Sequence, residues 1–307
     1  MRAFTLDSFE SPPGLRDDLP TPSSVGPNEV LVRVHASSVN GADVPIAAGM
    51  LKEMAQYEFP VTIGRDFAGV VEDVGSVVSR FKAGDEVFAF FPAADPDVHK
   101  GSWADQVVVR EDAVARKPES VDFATAGAAP LAGITALAAL DALELSDGAS
   151  VLINGAAGGV GSFFVQLAAA AAANVIAPGL PEDDQYLRGM GAGEVVDRNA
   201  DVAAQVREHN PEGVDAILDL VSFTPDDSLL KEGGRLASTL ASAGEGPGRT
   251  NVMASATTAN LERVAELLDT GALRVYIQNS YPLEQAGAAL EALPGTHTQG
   301  KLALTIA

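Results

Sequence analysis

Val151-Leu-Ile-Asn-Gly155-Ala-Ala-Gly158-Gly159-Val-Gly161 is the stretch that decides the fold of this chain. A short apolar run at 150–153 leads into it, and a helix rich in Ala and apolar residues is predicted to leave it over 160–173. Glycines placed as Gly155, Gly158 and Gly161 allow a tight turn, a close approach of backbone to a pyrophosphate, and close packing of helix on strand. The amides at the helix start attract phosphate. Gly155, Ala156, Ala157, Gly158, Gly159, Val160 and Gly161 are therefore the candidate cofactor-binding turn. A glycine-rich pattern alone is weak evidence, and an Ala/Gly-rich chain offers ordinary turns of similar composition; the flanking strand and helix give it meaning.

Outward from the turn, strands are predicted at 174–177, 194–196, 214–220 and 235–240, with helices at 184–190 and 202–208 between them. Strand and helix in alternation imply α/β architecture, a parallel sheet covered on both faces. Upstream, Asp122 caps a predicted helix over 123–145. Residues 1–121 read differently. Short strands such as 29–36, where polar and apolar residues alternate, are punctuated by Pro12-Pro13-Gly14, Gly26-Pro27 and Gly84-Asp85, the pattern of a small barrel or sandwich. Downstream, 258–268 is an amphipathic helix, and 275–278, 283–293 and 301–306 read as strand, helix and closing strand. The expected division is a domain of 1–121 with 270–307 and a domain of 122–269.

The chain has 307 residues, 47% of them hydrophobic, enough for two cores. Its 42 acidic and 20 basic residues give a net charge of -22, which repels nucleic acid and anionic lipid. It has no cysteine, which excludes disulfides, thiolate nucleophiles and Cys-based zinc sites. The start, MRAFTLDSFE, reads as a first strand and not as a signal segment, and no apolar stretch approaches a membrane span. A cytoplasmic protein is expected. His35, His99, His209 and His297 are not spaced as a metal site.

Several further motifs occur in a fixed order: Ser38-Val-Asn40-Gly-Ala-Asp43, Gly64-Arg-Asp66-Phe-Ala-Gly69, Phe81-Lys-Ala-Gly84-Asp85, Gly101-Ser-Trp103, Gly133-Ile-Thr135, the glycine turn, Gly233-Gly234-Arg235 and Thr298-Gln-Gly300-Lys301-Leu302. Together they span nearly the whole chain, which resembles the zinc-free quinone oxidoreductase (zeta-crystallin-like) branch of the medium-chain dehydrogenase/reductase superfamily. The resemblance implies a GroES-like β-barrel domain made from both chain ends, a Rossmann doubly wound domain inserted between, a cofactor cleft between the domains, NADPH as cofactor and a homodimer. Where zinc-dependent relatives carry Gly-His-Glu, this chain has Gly64-Arg65-Asp66. It also departs from its closer relatives. Gln166 is followed by Leu167 and Ala168 in place of a cation, Ser222 replaces a glycine, and the usual 2′-phosphate-binding Lys falls within Glu182, Asp183 and Asp184. The predicted second strand ends at Ala177-Pro178-Gly179 without the acid that marks NAD sites. NADPH is thus the cofactor implied, and NAD stays open.

Hydride transfer without a metal needs hydrogen-bond donors for the acceptor oxygen. Asn40 and Tyr57 are the catalytic candidates, and Trp103 is a candidate wall of the substrate pocket. Asn40 followed by glycine also suits a turn, and Tyr57 before Phe59-Pro60 also suits an anchor. Thr135 resembles the family threonine at the nicotinamide end. Arg188, the cation nearest the acidic stretch, Val221 and Lys301 complete the cofactor-binding set; Asp43 and Asp66 read as structural. The expected activity is reduction of a quinone or an α,β-unsaturated ketone or aldehyde, a small electrophile, by NADPH. The alternatives are an enoyl-thioester or polyketide tailoring reductase, and a non-catalytic NADPH-binding sensor or structural protein.

Overall fold

A computed structural model describes residues 1–53, 57–92 and 100–307. Parts of the loops at 50–59 and 92–101, with His99, lie outside the described residues. The chain divides into two compact units: Met1–Leu131 with Ser255–Gly271 and Ile277–Ala307, and Ala132–Ala254 with Ala272–Tyr276.

The first unit opens with β1 (Ala3–Leu6), β2 (Gly14–Arg16) and the long β3 (Glu29–Val39). A short helix α1 (Asp43–Ala47) follows, then β4 (Val61–Thr62), β5 (Asp66–Val74), β6 (Glu86–Phe90), β7 (Gln106–Arg110) and β8 (Ala115–Arg116). β1 sits between β2 and β4 in a three-stranded sheet. β3 is the hub of the larger sheet. Its first half, Glu29–Arg33, pairs with β7, while β5 lines it on the other side. Register shifts at Leu31/Val32 and Val34/Ala36 bend the strand, as bulges do in barrels. Val30, Val32, Val34, Phe67, Phe88 and Phe90 fill the interior.

The helix predicted over 123–145 is two helices, α2 (Phe123–Gly127) and α3 (Pro130–Leu143). Pro130 lacks the N–H that would continue a helix but suits a first turn. Asp122 caps α2 by accepting the Thr125 N–H at 2.8 Å. A side chain at Gly127 would lie 2.8 Å from the Ala36 carbonyl oxygen, so α2 lies tight on β3 and belongs with the first unit.

The second unit continues with β9 (Ser150–Asn154), α4 (Gly159–Ala170), β10 (Asn174–Gly179), α5 (Asp184–Gly189), β11 (Glu194–Asp197) and α6 (Val202–His209). It ends with β12 (Val214–Asp219), β13 (Leu230–Ser238) and β14 (Arg249–Asn251). Every pairing is parallel, in the order β11-β10-β9-β12-β13-β14. The chain thus winds outward from β9 in both directions, and the strand order reverses between β9 and β12. Ligands of open parallel sheets bind beyond the carboxyl ends of the strands at such a point. Leu152, Ile176, Val196 and Ile217 form the core.

α7 (Thr258–Asp269) buries Leu261, Val264 and Leu268. The sequence reading placed it in the second domain, but it packs with the first unit. Thr258 donates to the Val114 carbonyl at 3.0 Å, and Glu262 pairs with Arg80 at 2.9 Å. Residues 272–276 join the second unit through Gln166, whose amide accepts the Arg274 N–H at 2.9 Å and donates to the Arg274 carbonyl at 3.0 Å. β15 (Ile277–Pro282), α8 (Ala286–Gly295) and β16 (Lys301–Thr305) complete the chain. β15 begins two residues beyond the strand predicted at 275. β16 pairs with the second half of β3, Ala36–Val39. No helix among the described residues is long and apolar enough to cross a membrane.

Candidate active site

In the second unit the site is the turn after β9. Gly155 holds φ +87°, and a side chain there would meet Val221 at 2.8 Å. A side chain at Gly161 would lie 2.2 Å from the Gly155 carbonyl oxygen. Both glycines are thus demanded by the protein's own packing. Gly158 is not: its missing side chain would meet nothing nearer than that same oxygen at 3.5 Å. The first bond of α4 runs from the Ser162 N–H to the Gly158 carbonyl at 2.9 Å. The N–H groups of Gly159, Val160 and Gly161 therefore lack an intrahelical acceptor. An open glycine backbone before orphan helix amides is a cradle that fits a dinucleotide's pyrophosphate.

Asp219, at the tip of β12, was not singled out from sequence. It is buried, accepts the Asn154 amide at 2.8 Å, and takes the Val221 and Ser222 N–H groups at 3.0 and 2.7 Å. It ties the strand tips on both sides of the reversal point together and leaves Val221 62% exposed beside Gly155. The signal for it is the second acid of VDAILD, which closes the strand after the apolar run Ala216–Leu218. Thr135 is buried on α3. Arg188 is committed on the face of α5, to Asp184 at 2.9 Å and to the Gly193 carbonyl at 3.1 Å. Without a ligand, Arg188 thus forms a local surface pair.

In the first unit, Asn40 sits in a buried polar network. Its side-chain NH2 donates to Asp66 Oδ2 at 2.8 Å, its Oδ1 accepts from Lys301 Nζ at 2.6 Å, and its backbone N–H donates to Asp43 at 2.7 Å. Asp66 is the hub: Oδ1 accepts the Leu131 N–H at 2.7 Å, and Oδ2 also accepts Ser38 Oγ at 2.7 Å. An amide has two donor hydrogens, so Asn40 retains one for a ligand. The network fixes which end of the amide carries it.

Lys301 was expected to bind cofactor, and the structure corrects this. Its side chain is 3% exposed, and its three donors face Val39 O at 3.1 Å, Asn40 Oδ1 and Asp66 Oδ2 at 3.5 Å. None remains for a cofactor. Burial lowers its pKa, opposed by Asp66 and Asp43. Trp103 is corrected too. It is fully buried, lies against Gly64 where a side chain would meet its ring at 2.0 Å, and donates to the Ser38 carbonyl at 3.3 Å. Among the described residues it is a core side chain, closed to solvent. Tyr57 is half-buried with its hydroxyl on the Ile46 carbonyl at 3.4 Å, a long bond, and its ring lies edge-on to Phe9 at 4.9 Å. Burial raises its pKa.

Arg65 is wholly buried, 3.9 Å from Asp43, and donates to the Lys100 carbonyl at 2.7 Å. Burial pushes the Asp43 carboxyl up to about 7 against the pull of Arg65. Among the described residues no group of three or more His, Cys, Asp or Glu is placed to hold a metal ion. The chain has no cysteine, and its two buried acids here are engaged by cations and amide hydrogens.

Residues 26–119 match the model of the alcohol dehydrogenase GroES-like domain, and residues 190–304 match the model named zinc-binding dehydrogenase. A chloroplast envelope quinone oxidoreductase homolog of Arabidopsis thaliana is 31% identical over 92% of this chain and 91% of its own length. An NADPH-dependent alkenal/one oxidoreductase of the same plant is 32% identical over 90% and 71%. The solved quinone oxidoreductase of Coxiella burnetii superimposes with a TM-score of 0.89 at 29% identity, covering 100% of this chain and 99% of that one. Motif order, sheet order and these relatives agree: the chain belongs to the quinone oxidoreductase family of medium-chain dehydrogenases/reductases and is an NAD(P)H-dependent oxidoreductase.

Proposed function

We propose that the protein reduces a quinone or an α,β-unsaturated ketone or aldehyde with NADPH, by direct hydride transfer and without zinc. A bound nicotinamide supplies the hydride when present. The turn from Gly155 to Gly161, with Val221 beside it, holds the pyrophosphate end through backbone groups. Asn40 donates its remaining amide hydrogen to the acceptor oxygen, where negative charge develops. Asp66, Ser38 and Lys301 position that amide, and the Tyr57 hydroxyl is the second donor once it leaves its long bond to Ile46. Thr135 contributes at the nicotinamide end.

The observation that carries this reading is the Asn40 network. It presents a fixed, uncharged donor within a buried polar cluster that also holds the Arg65 guanidinium. The relatives named for quinone and alkenal/one reduction support the substrate class.

The test is NADPH oxidation against a panel of quinones, enones and enals, with chelator and with added zinc. Turnover indifferent to both additions is expected. Silence across the panel would sink the substrate class, and activity lost to chelator but restored by zinc would sink the metal-free mechanism. Turnover of acyl thioesters alone would move the reading to a tailoring reductase.

A further inference from the structure

In a doubly wound dinucleotide fold, the adenosine ribose is read near the tip of the second strand, by an acid for a 2′-hydroxyl or an arginine for a 2′-phosphate. Here that strand is β10. It ends at Gly179, paired in register with Asp197 at the end of β11. The next residue, Arg198, donates its backbone N–H to the Gly179 carbonyl at 2.9 Å. That bond fixes its backbone beside the tip of β10. Its side chain is exposed and has no hydrogen bond or ion pair to any described residue.

The neighbouring acids are mostly committed elsewhere. Asp183 is fully buried and turned inward, where its carboxylate accepts the Leu180 N–H at 2.8 Å. Asp184 holds Arg188. Asp197 accepts the Asn199 N–H at 2.9 Å, and Asp201 caps α6 through the Ala204 N–H at 2.9 Å. Glu182 stays exposed. Asp183, the acid nearest the end of β10, is thus turned away from a ribose there, while the exposed Arg198 guanidinium stands at the strand tip with no described partner. A guanidinium fork matches two oxygens of a phosphate at once, which an ammonium or a neutral donor does not.

We propose that Arg198 is the specificity-determining residue for the nucleotide, binding the 2′-phosphate of NADPH and so selecting it over NADH. This rests on the reading that the second unit binds a nicotinamide dinucleotide.

The experiment is a fluorescence or calorimetric titration of the wild type, R198A and R198K with NADPH and with NADH. Wild type is expected to prefer NADPH by at least about tenfold, as charge-assisted hydrogen bonds do. R198A should lose at least about tenfold for NADPH and stay within about twofold for NADH, with R198K between. Retained NADH binding shows that the variant is folded. Equal loss for both nucleotides, unchanged NADPH binding in R198A, or a wild-type preference for NADH would each overturn the assignment of Arg198. Failure of the wild type to bind either nucleotide would overturn the dinucleotide reading beneath it as well.

Discussion

Four ionisable side chains, Asp43, Arg65, Asp66 and Lys301, lie buried in one small region of the first unit. Charges there persist only because each has a partner. Lys301 is the member whose removal is most informative. Lys301→Met leaves Asp66 Oδ2 and Asn40 Oδ1 without their cation, and losing one partner of a buried pair costs about 3–5 kcal/mol. A large loss of stability in denaturant titration is expected, with NADPH affinity of the folded fraction kept. A stable variant that binds NADPH poorly would return Lys301 to the cofactor. Asp43 supplies the pH dependence. Its carboxyl titrates at about 7 in the fold, against roughly 3.9 unfolded. Folding therefore draws on a proton that is fully held below the unfolded pKa and lost as pH rises toward 7. D43N cannot ionise. Its stability relative to wild type should climb between about pH 4 and pH 7 and then level off. A flat difference across that range would mean the carboxyl ionises in the fold as freely as in water.

The glycine turn between β9 and α4 separates glycines the fold needs from one it does not. Gly161→Ala places a methyl 2.2 Å from the Gly155 carbonyl oxygen. Such overpacking costs about 1–3 kcal/mol. Gly158→Ala meets nothing closer than 3.5 Å. An alanine at that helix cap costs about 1 kcal/mol or less. Its methyl enters the space proposed for pyrophosphate, so G158A should fold and lose roughly tenfold or more in NADPH affinity, about 1.4 kcal/mol. Unchanged affinity in a folded G158A would remove the pyrophosphate from this turn. The turn was legible in sequence because its strand, glycines and helix are contiguous, and the same locality exposed the alternating strands from β9 to β12. Two breaks in that legibility have physical causes. Pro130, embedded in an Ala-rich run, hid the gap between α2 and α3. The polar network joins residues as far apart as Asn40 and Lys301, 261 positions in sequence, so no local pattern announced it. Trp103 shows the converse: residue type suggests a pocket wall, and complete burial makes it core.

Charge acts on the molecule as a whole. Matching all 20 cations with acids would still leave 22 acids unmatched, the net charge of -22. Surface pairs such as Arg16 with Asp18 and Lys231 with Asp215 gain little, roughly 0–1 kcal/mol each, and salt weakens them. The unmatched acids repel one another in the compact state more than in the expanded chain, and salt weakens that as well. The two effects have opposite signs, and the excess of acids makes repulsion the larger. The melting temperature should therefore rise as sodium chloride is raised from about 10 mM, where the screening length is about 30 Å, to about 1 M, where it is about 3 Å. Most of the gain should arrive by about 0.1–0.2 M, once screening is shorter than about 10 Å. A melting temperature that falls over this range would mean that ion pairs, not repulsion, dominate the surface. NADPH is itself an anion, so its affinity for this acidic molecule tests the same balance locally. Screening relieves the general repulsion but weakens a specific guanidinium–phosphate contact. If Arg198 holds the 2′-phosphate, raising salt should narrow the preference for NADPH over NADH in wild type, while in R198A, where only general repulsion remains, it should shift the balance slightly toward NADPH. A preference that widens with salt in wild type would show that general repulsion, and not a contact at the strand tip, governs the choice of nucleotide.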